Sequence, residues 1–256
     1  MCDRRALGGH LVYLYDGSFE GMLTAIFEAY YREAPGRILA EGCWQQALDE
    51  RYEKVETDLS KSGRVHDAIE AKIGKTALGM VYYGWLSHEP ERATRIYEFL
   101  RLGFRIGPGI TARLADPAVD ALFRINRPVL REYDKQRGFL RFSVMEGGIY
   151  YAKEETVSYQ LPLLTPYFFD RMTGDPFIIH DVGRRLAGVS DTRQWRIVSA
   201  ETFTAPDMSP EEMDYRRLWI AFHETVAIQS RLNPKLQSQM APKRYWKYMT
   251  EMNGGK

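Results

Sequence analysis

The sequence predicts the α+β fold class, with a central antiparallel sheet and helices packed around it. Residues 138–199 carry the main signal, because strand-like runs lie on either side of a helix-like run within about 60 residues. Amphipathic helical segments lie on both sides of this block in the sequence. The chain is 45% hydrophobic and 13% aromatic, which is enough for the helices and the sheet to share a sizeable core.

A β-hairpin is predicted at the start of this block. Phe139, Phe142 and Val144 alternate with polar residues, and a return strand begins at Ile149. Between the two strands, Gly147-Gly148 can supply the positive φ that a tight turn needs.

A helix and three further strands complete the block. The helix is predicted over Leu163–Met172, and the strands follow at Phe177–Asp181, Arg185–Val189 and Trp195–Val198. Ser190-Asp191-Thr192 has the composition of a turn between the last two strands.

The preceding residues predict a βα unit followed by helices. A strand at His10–Tyr15 ends at Asp16-Gly17-Ser18, and the helix after it carries apolar residues from Phe19 to Tyr30 on one face. The further elements expected are a short strand at Glu53–Thr57 and helices at Ser60–Ile73, Thr76–Leu86, Pro90–Phe104 and from Asp116-Pro117 onward.

A capping box, Ser209-Pro-Glu-Glu212, begins a helix near the end of the chain. This helix carries five large apolar residues on one face: Tyr215, Leu218, Trp219, Phe222 and Val226. A last short helix is predicted to begin at Pro242. Since no Pro/Ser/Gly-rich linker interrupts the sequence, we expect a single composite domain, residues 1–256, with parts at 10–137, 138–199 and 209–251.

The charge balance argues against a protein that simply coats a polyanion. There are 35 basic and 34 acidic side chains, but their distribution is uneven. Residues 41–58 hold six acidic and two basic side chains, whereas residues 231–250 hold five basic and no acidic ones. The basic segment is therefore the part of the chain that favours a polyanionic ligand.

We expect a reduced, cytoplasmic protein with no cofactor, no metal and no membrane segment. Cys2 and Cys43 are too few for a disulfide framework or an iron-sulfur cluster, and His223-Glu224 lacks the second histidine of a zinc-protease helix. The first residues lack the apolar core of a signal peptide, and the longest apolar run, Ala77–Leu86, is too short to span a bilayer.

Cations and aromatic residues alternate in the basic segment, in the order Lys243, Arg244, Tyr245, Trp246, Lys247 and Tyr248. Lys and Arg neutralise phosphates, while Tyr and Trp can stack on bases. We predict a nucleic-acid-binding set that consists of Arg141, Arg184, Arg185, Lys243, Arg244, Tyr245, Trp246 and Lys247. The alternative is that the aromatic residues pack on the sheet and the cations form a solvated rim.

Three residues are candidates for acid or base chemistry: His180, Asp181 and Asp170. Because neighbours on a strand point to opposite faces, only one of His180 and Asp181 can face a given site. The catalytic residues are thus left open.

Four segments of this chain together resemble the bacterial "probable DNA metabolism protein" family, whose core domain is of unknown function. They are Tyr13-Leu-Tyr-Asp-Gly-Ser-Phe-Glu-Gly-Met-Leu-Thr-Ala-Ile-Phe-Glu-Ala-Tyr30, Gly138-Phe-Leu-Arg-Phe142, Ile178-Ile-His-Asp181 with Arg184, and Asn233-Pro to Pro242-Lys-Arg-Tyr-Trp-Lys-Tyr248. The resemblance runs from near residue 11 to near residue 251.

The resemblance implies a role beside a putative DNA modification or repair radical-SAM protein, encoded next to the family member. Related domains are also fused to uracil-DNA glycosylases. Family members often carry His where this chain has Tyr167 and Trp where it has Phe177. If that histidine were catalytic in the family, Tyr167 would put the same chemistry in doubt here.

The function expected from the sequence is that of a DNA repair or modification accessory protein, which binds nucleic acid and acts with a radical-SAM partner. One alternative is an enzyme that acts directly on a damaged or modified nucleotide. Another alternative is a protein adaptor without DNA affinity, whose basic segment meets an acidic partner.

Overall fold

A computed structural model describes residues 8–45, 50–205, 207–231 and 233–253. Residues 1–7, which include Cys2, lie outside these ranges. The chain divides into two compact units, residues 1–130 and 131–256. The expectation that both belong to one composite domain stays a prediction.

The first unit contains a three-stranded sheet in the order β2-β1-β3, and both strand pairs are parallel. Its strands are β1 (Gly8–Tyr15), β2 (Pro35–Ala40) and β3 (Arg51–Lys54). Its helices are α1 (Phe19–Tyr31), α2 (Leu59–Lys72), α3 (Lys75–Leu86) and α4 (Arg92–Ile106), followed by the start of α5 (Pro117–Phe139). The sequence pattern does not predict β2.

Side-chain caps begin α1 and α2. The Ser18 hydroxyl accepts a hydrogen bond from Gly21 N at 2.9 Å, and the Asp58 carboxylate accepts from Ser60 N and Lys61 N. The apolar face of α1 then covers β1, with Tyr15 and Ile26 both fully buried. This agrees with the predicted βα unit.

The second unit contains a five-stranded sheet in the order β4-β5-β6-β7-β8. Its strands are β4 (Phe142–Val144), β5 (Tyr150–Glu154), β6 (Phe177–Asp181), β7 (Leu186–Ser190) and β8 (Trp195–Ser199). Its helices after α5 are α6 (Leu161–Arg171), α7 (Pro210–Val226), α8 (Pro234–Met240) and α9 (Lys243–Trp246).

The prediction of a purely antiparallel central sheet is wrong, because β5 and β6 pair in parallel. Helix α6 connects these two strands and returns the chain to the sheet edge at which β5 began, so both strands run in the same direction. The other three pairs are antiparallel. The predicted hairpin agrees with the β4–β5 pair, whose turn has Gly147 at φ 86° and Gly148 at φ 77°. Phe139 was predicted in its first strand, but this residue ends α5.

The register of β5 and β6 sorts polar side chains onto two faces. Lys153 lies opposite His180, and Glu154 lies opposite Asp181. Because side chains alternate along a strand, Glu154 and Asp181 point to the face that α6 covers. Lys153 and His180 point to the other face.

Helix α6 packs tightly on the first of these faces. Its residues Leu161, Leu164 and Phe168 form a core with Phe177 and Ile179 of β6. The approach is closest at Gly188 of β7, where an added Cβ would lie 2.0 Å from Thr165 Oγ1 and 3.0 Å from Thr165 Cβ. The glycine therefore sets the distance between α6 and the sheet.

No helix in residues 8–45, 50–205, 207–231 and 233–253 is both long and apolar enough to cross a membrane.

We expect Gly188→Ala to lower the free energy of unfolding by about 1–3 kcal/mol, because the new methyl group cannot fit beside Thr165. Chemical denaturation with urea measures the effect. Gly138→Ala is the matched control, since a Cβ there meets nothing within 4 Å and alanine favours the helical conformation of α5. Equal midpoints for the two variants would show that α6 has room to move.

Candidate nucleic-acid interface

A pocket of about 440 Å³ lies on the sheet face opposite α6. Four cationic side chains line it, together with the aromatic residues Tyr151 and Tyr248. The cations are Arg141, Lys153, Arg216 and Lys247. Asp207 is an acidic residue in the same lining. This volume and this mixture of charge and aromatic surface suit a small anionic ligand with a planar ring.

Four separate parts of the chain supply these side chains. Tyr151 and Lys153 are two residues apart on β5, so the pleat points both into the pocket. Arg141 lies in the connection between α5 and β4, and Arg216 lies on α7. Lys247 directly follows α9.

Arg141 is held by a buried carboxylate. Its Nη2 donates to Glu251 Oε1 at 2.6 Å, and the Glu251 side chain is only 5% exposed. The other carboxylate oxygen of Glu251 accepts from Trp219 Nε1 at 3.2 Å. Glu251 thereby fixes the end of the chain against both α7 and the start of β4.

Arg216 is fixed to β4 in a similar way. Its Nε donates to Glu212 Oε1 at 3.0 Å, and its Nη2 donates to Ser143 Oγ at 2.6 Å. Glu212 also accepts from Val144 N at 3.0 Å through its second oxygen. The carboxylate of the predicted capping box thus binds β4, while Ser209 accepts from Glu212 N and caps α7 alone.

The two lysines of the pocket differ in their partners. Lys247 Nζ lies 2.6 Å from Glu155 Oε2, which also accepts from the Tyr248 hydroxyl at 3.1 Å. Lys153 is exposed, and within the described chain no carboxylate lies within ion-pair distance of its ammonium. Its Nζ lies 5.7 Å from the ring centre of Tyr151. Lys153 is therefore the pocket cation that has no ion-pair partner within the described residues.

Tyr151 links the pocket to His180 on β6. The Tyr151 hydroxyl and His180 Nδ1 are 2.8 Å apart, and the Phe203 ring packs on both side chains. Burial, and then the charge of Lys153, lower the pKa of His180. Burial raises the pKa of Tyr151 to about 12. Both groups are therefore neutral at pH 7 and share one hydrogen bond.

The pocket brings together only Arg141 and Lys247 of the eight predicted nucleic-acid contacts. Arg184 instead pairs with Asp181 at 2.9 Å and donates to the carbonyls of Thr156 and Val157. Arg185 is exposed in the turn after β6, with φ of 54°. Neither arginine lines the pocket.

The remaining predicted contacts lie in and beside α9. Tyr245 is only 4% exposed, with its ring against Phe139. Arg244 donates to the Tyr245 hydroxyl at 2.6 Å and pairs with Glu132 at 3.2 Å. The predicted stacking role does not suit Tyr245, because a ring that is already covered offers no open face to a base.

Lys243 and Arg244 are exposed, and Trp246 is half-buried. Trp246 Nε1 donates to Ala241 O at 2.7 Å, and Lys243 Nζ lies 5.9 Å from the centre of its ring. The pocket is not lined by Lys243, Arg244 or Trp246.

The three candidate acid-base residues do not share a site. His180 and Asp181 point to opposite faces of β6, as expected from the strand geometry. Asp181 is fully buried beneath the α6 side of the sheet, and Asp170 is exposed on α6 itself. Among the three, only His180 contacts a residue that lines the pocket.

Among the cationic and aromatic residues that line the pocket, four were absent from the predicted binding set: Tyr151, Lys153, Arg216 and Tyr248. The alternation of Tyr151 and Lys153 along a strand was visible in the sequence. Whether these two side chains lie on the open face of the sheet depends on which face α6 covers, and this follows from the parallel pairing of β5 with β6. Arg216 could have been found as a cation one helical turn after Glu212 of the capping box.

A buried carboxyl pair lies on the α6 side of the sheet. Asp181 accepts from Arg184 N and Arg184 Nη1, each at 2.9 Å. Glu154 is 1% exposed, and neither of its carboxylate oxygens has a hydrogen-bond partner within the described residues. Burial, and then the nearby charge of Asp181, raise the pKa of Glu154 far above its usual range. The protonated form of Glu154 is therefore the one that suits the fold.

The described part of the chain contains no group of three or more His, Cys, Asp or Glu side chains that could hold a metal ion.

We expect Glu154→Gln to raise the free energy of unfolding at pH 8 by about 1–2 kcal/mol. The folded chain holds the Glu154 proton more tightly than the unfolded chain, so this contribution is complete below pH 4.5 and declines as the pH rises. Glutamine cannot ionise and removes the decline. Urea denaturation between pH 4.5 and pH 8 measures it.

Glu155→Gln is the control for this prediction, because Glu155 is the next residue but is exposed and paired with Lys247. The two variants should differ in the slope of stability against pH. Parallel profiles for Glu154→Gln and the wild type would mean that Glu154 is ionised in the fold.

Comparison with known families finds a match over much of the chain. The family model described as a domain of unknown function, DUF4130, matches residues 90–251, which is more than half of the chain. No curated protein matches the sequence.

Proposed function

The chain belongs to the DUF4130 family, a domain of unknown function, so we propose its function from its own geometry. We propose that it binds single-stranded nucleic acid at the pocket lined by Arg141, Lys153, Arg216 and Lys247. The observation that carries the proposal is the convergence of four cations and two aromatic rings on one 440 Å³ pocket. Phosphate is the ligand for the cations, and an unpaired base is the ligand for the rings.

The paired cations limit how much phosphate the pocket can neutralise. Arg141, Arg216 and Lys247 each have a carboxylate partner, so their charges are largely compensated within the protein. A guanidinium carries five N–H donors, and both arginines keep donors beyond those that their partners occupy. Lys153 adds the free charge. We therefore expect a short site that holds one or two phosphates.

Two rings are available for a base in this pocket. Tyr248 is half-buried, its hydroxyl is anchored on Glu155, and Lys247 Nζ lies 5.1 Å from the centre of its ring. Tyr151 is more deeply buried and lies on the pocket floor beside His180. Tyr248 is the better platform for stacking, since one of its faces can remain open to the ligand.

DNA is the nucleic acid that we propose, in a repair or modification role. The support is the resemblance of the sequence to the "probable DNA metabolism protein" family. The same resemblance supports a radical-SAM protein as the partner that would act on the bound strand. A pocket for one unpaired nucleotide suits such a role, because enzymes that modify bases need the base outside the duplex.

We expect Lys153→Gln to weaken binding of a labelled single-stranded oligonucleotide about tenfold at low salt. The slope of log affinity against log salt should also fall by about 0.7, since one phosphate contact is lost. Fluorescence anisotropy across a salt series measures both quantities. Lys235→Gln is the control, because Lys235 is an exposed cation outside the pocket. Equal losses in the two variants would contradict a site at Lys153.

We expect Tyr248→Leu to weaken single-strand binding about tenfold and duplex binding much less, because the stacking surface for an unpaired base is removed. Tyr248→Phe is the matched control, since it keeps the ring and loses only the hydrogen bond to Glu155. The same anisotropy assay applies. A loss in both variants would assign the effect to that hydrogen bond and not to stacking.

An enzyme that acts directly on a nucleotide is the second candidate function. The observation in its favour is the neutral His180, which is hydrogen bonded to a tyrosine of the pocket. His180 would then exchange a proton with the ligand through the Tyr151 hydroxyl. Product formed on modified DNA by the purified protein, and lost in His180→Ala, would establish this function. If the purified protein binds DNA but forms no product, only the binding role is supported.

A further inference from the structure

Helix α7 carries a stripe of large apolar side chains that the described chain does not cover. The exposed fractions are 66% for Tyr215, 65% for Leu218, 42% for Trp219, 59% for Phe222 and 56% for Val226. Of the residues of α7, all of which the structure describes, only Glu212 is buried. The sequence analysis placed these five residues on one helical face, and that face is open.

The hydrogen bonds that hold α7 in place in the described chain involve one residue of the stripe, Trp219, and that residue only through its indole N–H. Glu212 accepts from Val144 N, Arg216 donates to Ser143 Oγ, and Trp219 Nε1 donates to Glu251. A helix attached in this way gains nothing from five exposed apolar residues. Contiguous apolar surface of this kind on a folded protein is typical of a site of association.

The spacing of the stripe is the same in both directions along the helix. Tyr215, Trp219, Phe222 and Val226 are separated by four, three and four residues. If a second α7 lies antiparallel on the first, a twofold axis between Ile220 and Ala221 places Trp219 of one copy beside Phe222 of the other. Tyr215 then lies beside Val226, so the same surface serves both copies.

We propose that α7 packs against α7 of a second copy of this chain, in an antiparallel arrangement through the stripe of Tyr215, Leu218, Trp219, Phe222 and Val226. The exposed parts of the five side chains amount to about 500 Å² on each copy, since a whole aromatic side chain contributes about 150–250 Å². Two copies would bury about 1,000 Å², which is the lower limit for a specific interface. The dimer should therefore dissociate at micromolar concentrations.

The chemistry of the stripe disfavours the other occupants. A nucleic acid needs cations, which the stripe lacks. A membrane surface favours a helix with a polar face rich in Lys and Arg, whereas α7 also carries Glu211, Glu212, Asp214 and Glu224. The exposed Arg217 pairs with Asp214 on the same helix, so two copies approach without strong repulsion.

Sedimentation velocity of the full chain over a wide concentration range tests the proposal. We expect a monomer of 29.7 kDa at the lowest concentrations and a species of twice that mass as the concentration rises. Phe222→Asp should raise the dissociation constant at least tenfold, and Leu218→Asp should do the same. Leu59→Asp is the matched control, because Leu59 is 72% exposed on α2 and is not part of the stripe.

Circular dichroism of each variant shows whether it is folded, and two independent stripe variants guard against the failure of one. A wild type that stays monomeric at all concentrations would overturn the proposal and leave the stripe to a different protein. A dimer that survives both stripe substitutions would overturn it as well. The test is separate from nucleic-acid binding, since neither Phe222 nor Leu218 lines the pocket.

Discussion

The parallel pairing of β5 with β6 is the constraint on which the second unit depends. Because α6 connects the two strands, it must cover one face of the sheet, and Gly188 lets it approach closely. The alternation of side chains along each strand then decides which of them lie beneath α6 and which lie on the opposite face. Glu154 and Asp181 are buried beneath the helix, while Lys153 and His180 lie on the other face of the sheet, where Lys153 lines the pocket. A shift of one residue in this register would exchange the two pairs.

The cations of this protein serve its structure as well as its candidate ligand. Arg141 pairs with Glu251, and Arg244 pairs with Glu132, so charges that looked free in the sequence hold residues 244–251 against α5 and the start of β4. An ion pair with a buried carboxylate holds its two side chains in position more firmly than a solvent-exposed pair, because losing one partner leaves an unpaired buried charge. The pocket therefore combines one free ammonium, Lys153, with cations whose positions are already fixed. Such preorganised donors bind a ligand at a lower entropic cost than flexible surface lysines.

The pocket and the open face of α7 are chemically distinct surfaces on the same unit. Arg216 belongs to the first and Phe222 to the second, although both lie on one helix. The polar side of α7 completes the pocket, and its apolar side is left for another protein surface. This division explains why a helix with so many large apolar residues makes mainly polar contacts with its own sheet.

Several local features follow from the sequence alone. Phe177–Asp181 was predicted with its observed bounds, Ser209 caps α7, Gly147 and Gly148 form the predicted hairpin turn, and His180 and Asp181 face apart as expected. These features depend on neighbouring residues, whose effects a sequence displays directly. Long-range packing sets three other features, which are the direction of β6, the burial of Tyr245 and the exposure of Phe222. Each of these depends on which distant segment occupies a surface, and neither composition nor periodicity specifies that pairing.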